Sequence, residues 1–119
     1  MKFVAEFNAD EQGKPLSISD GSVEHFSIAL KLTEIPKGVQ RVTYLLHPTY
    51  HRPVRTVPAR IPDFEEPITA YGDYEVTVKY EHDGTTQQLT RLLSAALEDG
   101  SAGATHQAVA AAISKIRSL

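Results

Sequence analysis

The chain has 119 residues, of which 41% are hydrophobic and 23% charged, with a formal net charge of -3 and no cysteine. This is the size and balance of one globular domain with a modest core. The charge argues against a nucleic-acid binder, the lack of cysteine excludes disulfides and thiolate metal sites, and no apolar run approaches the roughly 20 residues of a membrane helix.

At the start, Met1 to Phe7 carries an early acid, Glu6, and no apolar h-region, so no signal peptide is expected. Together with the missing cysteine this fits a cytoplasmic setting. Phe3, Ala5 and Phe7 alternate with Lys2, Val4 and Glu6, the pattern of a half-buried strand. Asp10 to Pro15 reads as a turn-rich loop, and Leu16 and Ile18 as a second, short strand before Asp20-Gly21.

The clearest period of two follows. Phe26, Ile28, Leu30 and Leu32 fall on one face, and Ser27, Ala29, Lys31 and Thr33 on the other. Pro36-Lys37-Gly38 turns the chain, and Val42, Tyr44 and Leu46 then alternate with Arg41, Thr43 and Leu45. Prolines 53, 58, 62 and 67 confine the next segment to a crossover or edge strand, anchored by Val54, Val57, Ile61 and Phe64. Tyr74, Val76, Val78 and Tyr80 mark another strand, and Asp83-Gly84 predicts a hairpin that brings Thr85 to about Thr90 back alongside it. Short strands separated by turns predict a mainly β chain, a β-sandwich over residues 1–91, with a barrel as the alternative.

Residues 92–119 change character. Leu89, Leu92, Leu93, Ala96 and Leu97 recur at helical spacing and collide with the hairpin, so the strand is ended near Thr90 and a helix placed from about Leu92 to Glu98. Asp99 to Gly103 reads as a helix stop or linker, and Thr105 as an N-cap. Val109, Ala112, Ile113, Ile116 and Leu119 form a second stripe. It is expected to fold back on the sandwich, the alternatives being a dimer or a partner contact through the C-terminal helix.

Function is expected in two loops. One strand runs into His47, Pro48, Thr49 and Tyr50, then Arg52 and Pro53; the other loop is Ala70-Tyr71-Gly72-Asp73-Tyr74. Converging, they make a shallow aromatic pocket for a flat π system or a cation, with Thr49 and backbone N–H groups orienting an amide. The alternative is that Tyr50 and Tyr71 cap the sandwich, ring packed and hydroxyl bonded.

Lys37, Arg41, Arg52, Arg55 and Arg60 fall in an acid-free stretch, and Asp63, Glu65, Glu66, Asp73, Glu75, Glu81 and Asp83 follow it. The plain reading is two solvated faces that attract each other, and the sharper one an acidic rim for a basic peptide. Glu65 and Glu66 are read as solvated. No nucleophile elbow, phosphate loop, dinucleotide fingerprint or zinc-helix motif occurs, so no enzyme and no cofactor are expected. His47 and His51 with His25 and His82 would hold a metal only if the fold gathered them; otherwise His47 is hydrogen-bonded at a strand end and His51 exposed.

From His25 to about Tyr80 the chain resembles the YEATS domain. Leu46-His47-Pro48-Thr49-Tyr50-His51-Arg52-Pro53 is similar to that family's Leu-His, Ser/Thr-aromatic and proline pattern. Tyr71-Gly72-Asp73-Tyr74 before Glu75-Val76-Thr77-Val78 is similar to its second aromatic loop and following strand. The resemblance implies an immunoglobulin-like β-sandwich and a non-enzymatic reader of acylated lysine. His47, Thr49 and Tyr50 then line the pocket from one loop, Tyr71 and the Gly72 backbone from the other, and Tyr74 backs it. Two departures, Ala70 for the usual glycine and Ser22 or Val23 for an aromatic, make the chain look most like the divergent prokaryotic YEATS group. The implied partner is a protein or peptide, without nucleic acid or membrane. The alternative is an interaction domain with a degenerate pocket in a bacterial signalling or defence context.

Overall fold

The computed structural model describes residues 1–104 and 106–118, so the expected N-cap Thr105 and the final stripe residue Leu119 lie outside the described residues. Eight strands and two helices follow one another: β1 (Lys2–Phe7), β2 (Ser17–Asp20), β3 (Val23–Thr33), β4 (Arg41–Leu45), β5 (Val54–Pro58), a 3-10 turn (Pro62–Phe64), β6 (Glu66–Ala70), β7 (Glu75–His82), β8 (Thr85–Leu92), α1 (Leu93–Gly100) and α2 (Gln107–Arg117).

The strands form two antiparallel sheets packed face to face around one core, a β-sandwich. β3 is the spine of the first. β1 pairs with its C-terminal part and β2 with its N-terminal part along one edge, while β6 pairs along the other. The second sheet runs β5-β4-β7-β8. Alternation in β3, β4 and β7 sends Ile28, Leu30, Leu32, Val42, Tyr44, Val76 and Val78 into one core that is closed to solvent. The β7–β8 hairpin turns at Asp83 and Gly84, both at positive φ (52° and 75°), a pair of conformations that matches the right-handed twist of the two strands.

Three expectations are corrected. Residues 66–70 form a strand, β6, that periodicity does not reveal, because Glu66, Pro67 and Thr69 hide its alternation; only Ile68 and Ala70 point inward. Pro67 is tolerated because its backbone faces the free edge, where its carbonyl accepts from Arg55 at 2.9 Å. Val54 is exposed and anchors nothing, whereas Val57 and Phe64 are buried. The strand β8 continues through Leu92, so Leu89 and Leu92 belong to it, and the helix starts at Leu93 and runs on through Gly100.

The C-terminal helices close the sandwich. Leu93, Ala96 and Leu97 of α1 and Val109, Ala112, Ile113 and Ile116 of α2 are buried in the same core as the strands, so the second stripe folds back. α1 lies over the unpaired edge of β1, which would otherwise offer a row of free backbone groups. The approach is close: a Cβ on Gly100 would stand 1.9 Å from the Ala5 carbonyl oxygen. Arg91 of β8 donates to the Phe3 carbonyl at 3.0 Å and also pairs with Asp99, tying the second sheet, β1 and α1 together. Among the described residues, no helix is long and apolar enough to cross a membrane.

Candidate binding cleft

Two loops meet at one end of the sandwich. The first, residues 46–53, leaves β4 and returns to β5; it is pinched at its base by Leu46 N–H donating to the Pro53 carbonyl at 2.7 Å. The second, residues 71–74, joins β6 to β7. Between them lies an open cleft of about 590 Å³. All six residues singled out from the sequence line it: His47, Thr49, Tyr50, Tyr71, Gly72 and Tyr74. His25, His51, Arg55, Thr69 and Asp73 complete the wall.

The rings meet edge to face or at a tilt. Tyr74 stands between His47 (centroids 5.9 Å, planes at 70°) and Tyr50 (5.6 Å, 54°), while Tyr71 packs on His25 (5.1 Å, 63°). These offsets suit the quadrupoles of the rings and keep each in a defined position. Tyr71 is half exposed, so much of its ring is available to a ligand.

Polar contacts order the first loop from within. The Thr49 N–H donates to His47 Nδ1 at 3.3 Å and the Thr49 hydroxyl lies 2.8 Å from the same nitrogen. In this geometry Nδ1 accepts from the Thr49 N–H, an arrangement suited to the tautomer that carries its proton on Nε2. Tyr50 donates its hydroxyl proton to the Thr69 carbonyl on the free edge of β6 at 2.7 Å. Burial pushes the Tyr50 phenol above its ordinary value. The Tyr74 hydroxyl is buried with no hydrogen-bond partner among the described residues. The Tyr50 hydroxyl approaches it without a hydrogen bond of good geometry; burial first, and this contact second, drive the Tyr74 pKa well up.

Arg55 is a structural centre of the cleft that the sequence did not single out. Its guanidinium donates to Glu66 at 3.1 Å and to the Pro67 carbonyl at 2.9 Å, its Nε donates to the Arg52 carbonyl at 2.9 Å, and it lies 5.8 Å from the Tyr50 ring centroid. Glu66, read as solvated, is instead the half-buried partner of this ion pair. The split between basic and acidic segments was the available signal: here the two attract each other. Asp73 is likewise turned inward, its carboxylate accepting from Ser94 N–H at 3.0 Å and Ser94 Oγ at 2.7 Å. It is not part of an exposed acidic rim. Among the described residues, no group of three histidine or acidic side chains is gathered for a metal.

The chain is thus a β-sandwich with two aromatic loops meeting at one end. The prokaryotic YEATS domain family matches residues 26–94, more than half of the chain and both cleft loops. The chain belongs to that family, whose members are binding modules and not enzymes. No curated protein matches it. Among solved structures it is similar to the Yaf9 YEATS domain, which recognises an H3K122suc peptide, with 19% identity and a TM-score of 0.49 over 67% of this chain. The alignment spans 65% of that protein, a little under two thirds of its length.

Proposed function

We propose that the cleft receives a flat, neutral amide on a protein or peptide, with acylated lysine as the side chain that fits it best. The observation that carries this reading is the meeting of His47, Thr49 and Tyr50 with Tyr71, Gly72 and Tyr74 around one open cleft. A planar amide is recognised by aromatic faces beside it and by hydrogen-bonding groups at its edge. Three tyrosines supply the rings; the Thr49 hydroxyl and the loop N–H groups supply the edge. The charges at the wall are already engaged, Arg55 with Glu66 and Asp73 with Ser94. Such a site favours a lysine whose charge has been removed by acylation over a free ammonium, which would lose its hydration without gaining a counter-ion.

The test is an amide NMR titration with acetyl-lysine and crotonyl-lysine peptides against the unmodified peptide. Selective shifts at Tyr50 and Tyr71 are expected. Tyr71→Ala leaves the melting curve nearly unchanged, because the ring is half exposed, yet weakens binding by about tenfold or more, the equivalent of about 1.4 kcal/mol of stacking. Silence of the cleft amides at millimolar peptide would overturn the reading.

One observation favours a second reading, an interaction domain with a degenerate pocket in a bacterial signalling or defence context. Several cleft polar groups are satisfied internally, while Leu16, just before β2, and Ile18 within it stand exposed. This reading predicts self-association that Ile18→Glu abolishes, read by light scattering. A dimer through α2 would have to use its polar side, because the apolar stripe is already buried.

A further inference from the structure

α1 begins with Leu93, but its N-cap position, Leu92, has no side chain able to accept from the helix amides. The second cleft loop supplies what is missing. The Tyr74 carbonyl accepts from Leu93 N–H at 2.9 Å, and one Asp73 carboxylate oxygen accepts from Ser94 N–H at 3.0 Å. The other Asp73 oxygen takes the Ser94 hydroxyl proton at 2.7 Å, and the first also accepts from Tyr74 N–H at 3.1 Å. Ser94 is 2% exposed. The carboxylate also meets the positive end of the helix dipole.

We infer that Asp73 is a positioning residue of the binding cleft, and that α1 is the rigid body against which it sets the second aromatic loop. The inference rests on the cleft being the recognition site. α1 qualifies as a reference because both its ends are held. Leu93, Ala96 and Leu97 are closed to solvent at the core, and Gly100 sits against the Ala5 carbonyl with no room for a Cβ. Asp73 lies between the ring that packs on His25 and the ring that packs on His47 and Tyr50. Anchoring it therefore fixes where Tyr71 and Tyr74 stand relative to the first loop. α1 then belongs to the recognition apparatus, although it does not line the cleft.

The experiment compares Asp73→Ala, Asp73→Asn and Ser94→Ala in the full chain, with circular dichroism to establish folding. Asparagine keeps an oxygen for the Ser94 and Tyr74 amides, and its NH2 can donate to the Ser94 oxygen, so it rescues the contact. Expected is a loss of acetyl-lysine peptide affinity of about tenfold for Asp73→Ala, a smaller loss for Ser94→Ala, and a value within about twofold of the parent for Asp73→Asn. In the peptide-free proteins, the Tyr71 and His25 ring resonances shift in Asp73→Ala and Ser94→Ala but stay in place in Asp73→Asn. Should the parent bind no peptide, the proposed ligand class is wrong, and these ring resonances decide this inference alone. Unchanged Tyr71 and His25 resonances in folded Ser94→Ala, or loss of affinity in Asp73→Asn equal to that in Asp73→Ala, would overturn it.

Discussion

Tyr74→Phe separates the ring of this residue from its hydroxyl. The ring makes edge contacts with His47 and Tyr50 that phenylalanine preserves, while the hydroxyl is buried with no partner among the described residues. A buried donor left without a hydrogen bond of good geometry costs about 1–3 kcal/mol, since folding strips its water and the neighbouring Tyr50 hydroxyl, committed to the Thr69 carbonyl, makes no such bond to it. Removing that one oxygen opens a space much smaller than a side chain, so the cavity penalty is minor. Tyr74→Phe is therefore expected to stabilise the chain by about 1–2 kcal/mol, seen as an increase in Tm of roughly 4–8 °C for a domain of this size. Urea melts followed by far-ultraviolet circular dichroism, supported by calorimetry, measure it. The urea slope should not change, because the surface exposed on unfolding is the same. A lower midpoint at constant slope would refute the reasoning, since it would mean that the hydroxyl contributes a favourable bond in the folded state. Peptide affinity is expected to stay within about twofold, as the ring is what faces the cleft; a larger loss would make the hydroxyl a ligand contact.

Two further predictions concern the scaffold. Burial is the largest cause of the raised phenol pKa values of Tyr44, Tyr50 and Tyr74, so the folded state prefers each protonated. Their contribution is full below the unfolded value of 10.0 and is lost as pH rises above it, so urea midpoints should hold to about pH 10 and then fall; a flat midpoint to pH 11.5 would contradict this. Gly100→Ala should destabilise the chain by about 2 kcal/mol by driving a methyl group into the Ala5 carbonyl, despite alanine's better helix propensity. A rise in Tm on that substitution would show that α1 shifts without cost.

What was legible in the sequence was what is encoded by near neighbours. β3, β4 and β7 declared themselves because alternate side chains on one strand meet opposite environments, and Asp83-Gly84 because two adjacent residues suffice for a tight hairpin turn. The two aromatic loops could be found for the same reason: each is a short run at the end of a strand. β6 could not, because proline and polar residues mask a strand whose place is set by its pairing with β3 and by Arg55 on its free edge. The Leu92–Leu93 boundary was ambiguous because the group that caps α1 comes from Asp73, 21 residues away from the Ser94 it holds.

The sequence by itself thus determined a mainly β chain, the identities of the loop aromatics, and a strand-to-helix change near residue 92. Only the tertiary structure decided that the two loops share a cleft, that His25 and Arg55 belong to its wall, and that an acidic loop residue serves a distant helix. Periodicity records which face of an element is buried. It carries no information about which other element buries it, because that depends on sheet register and on charge pairs between segments that are far apart along the chain.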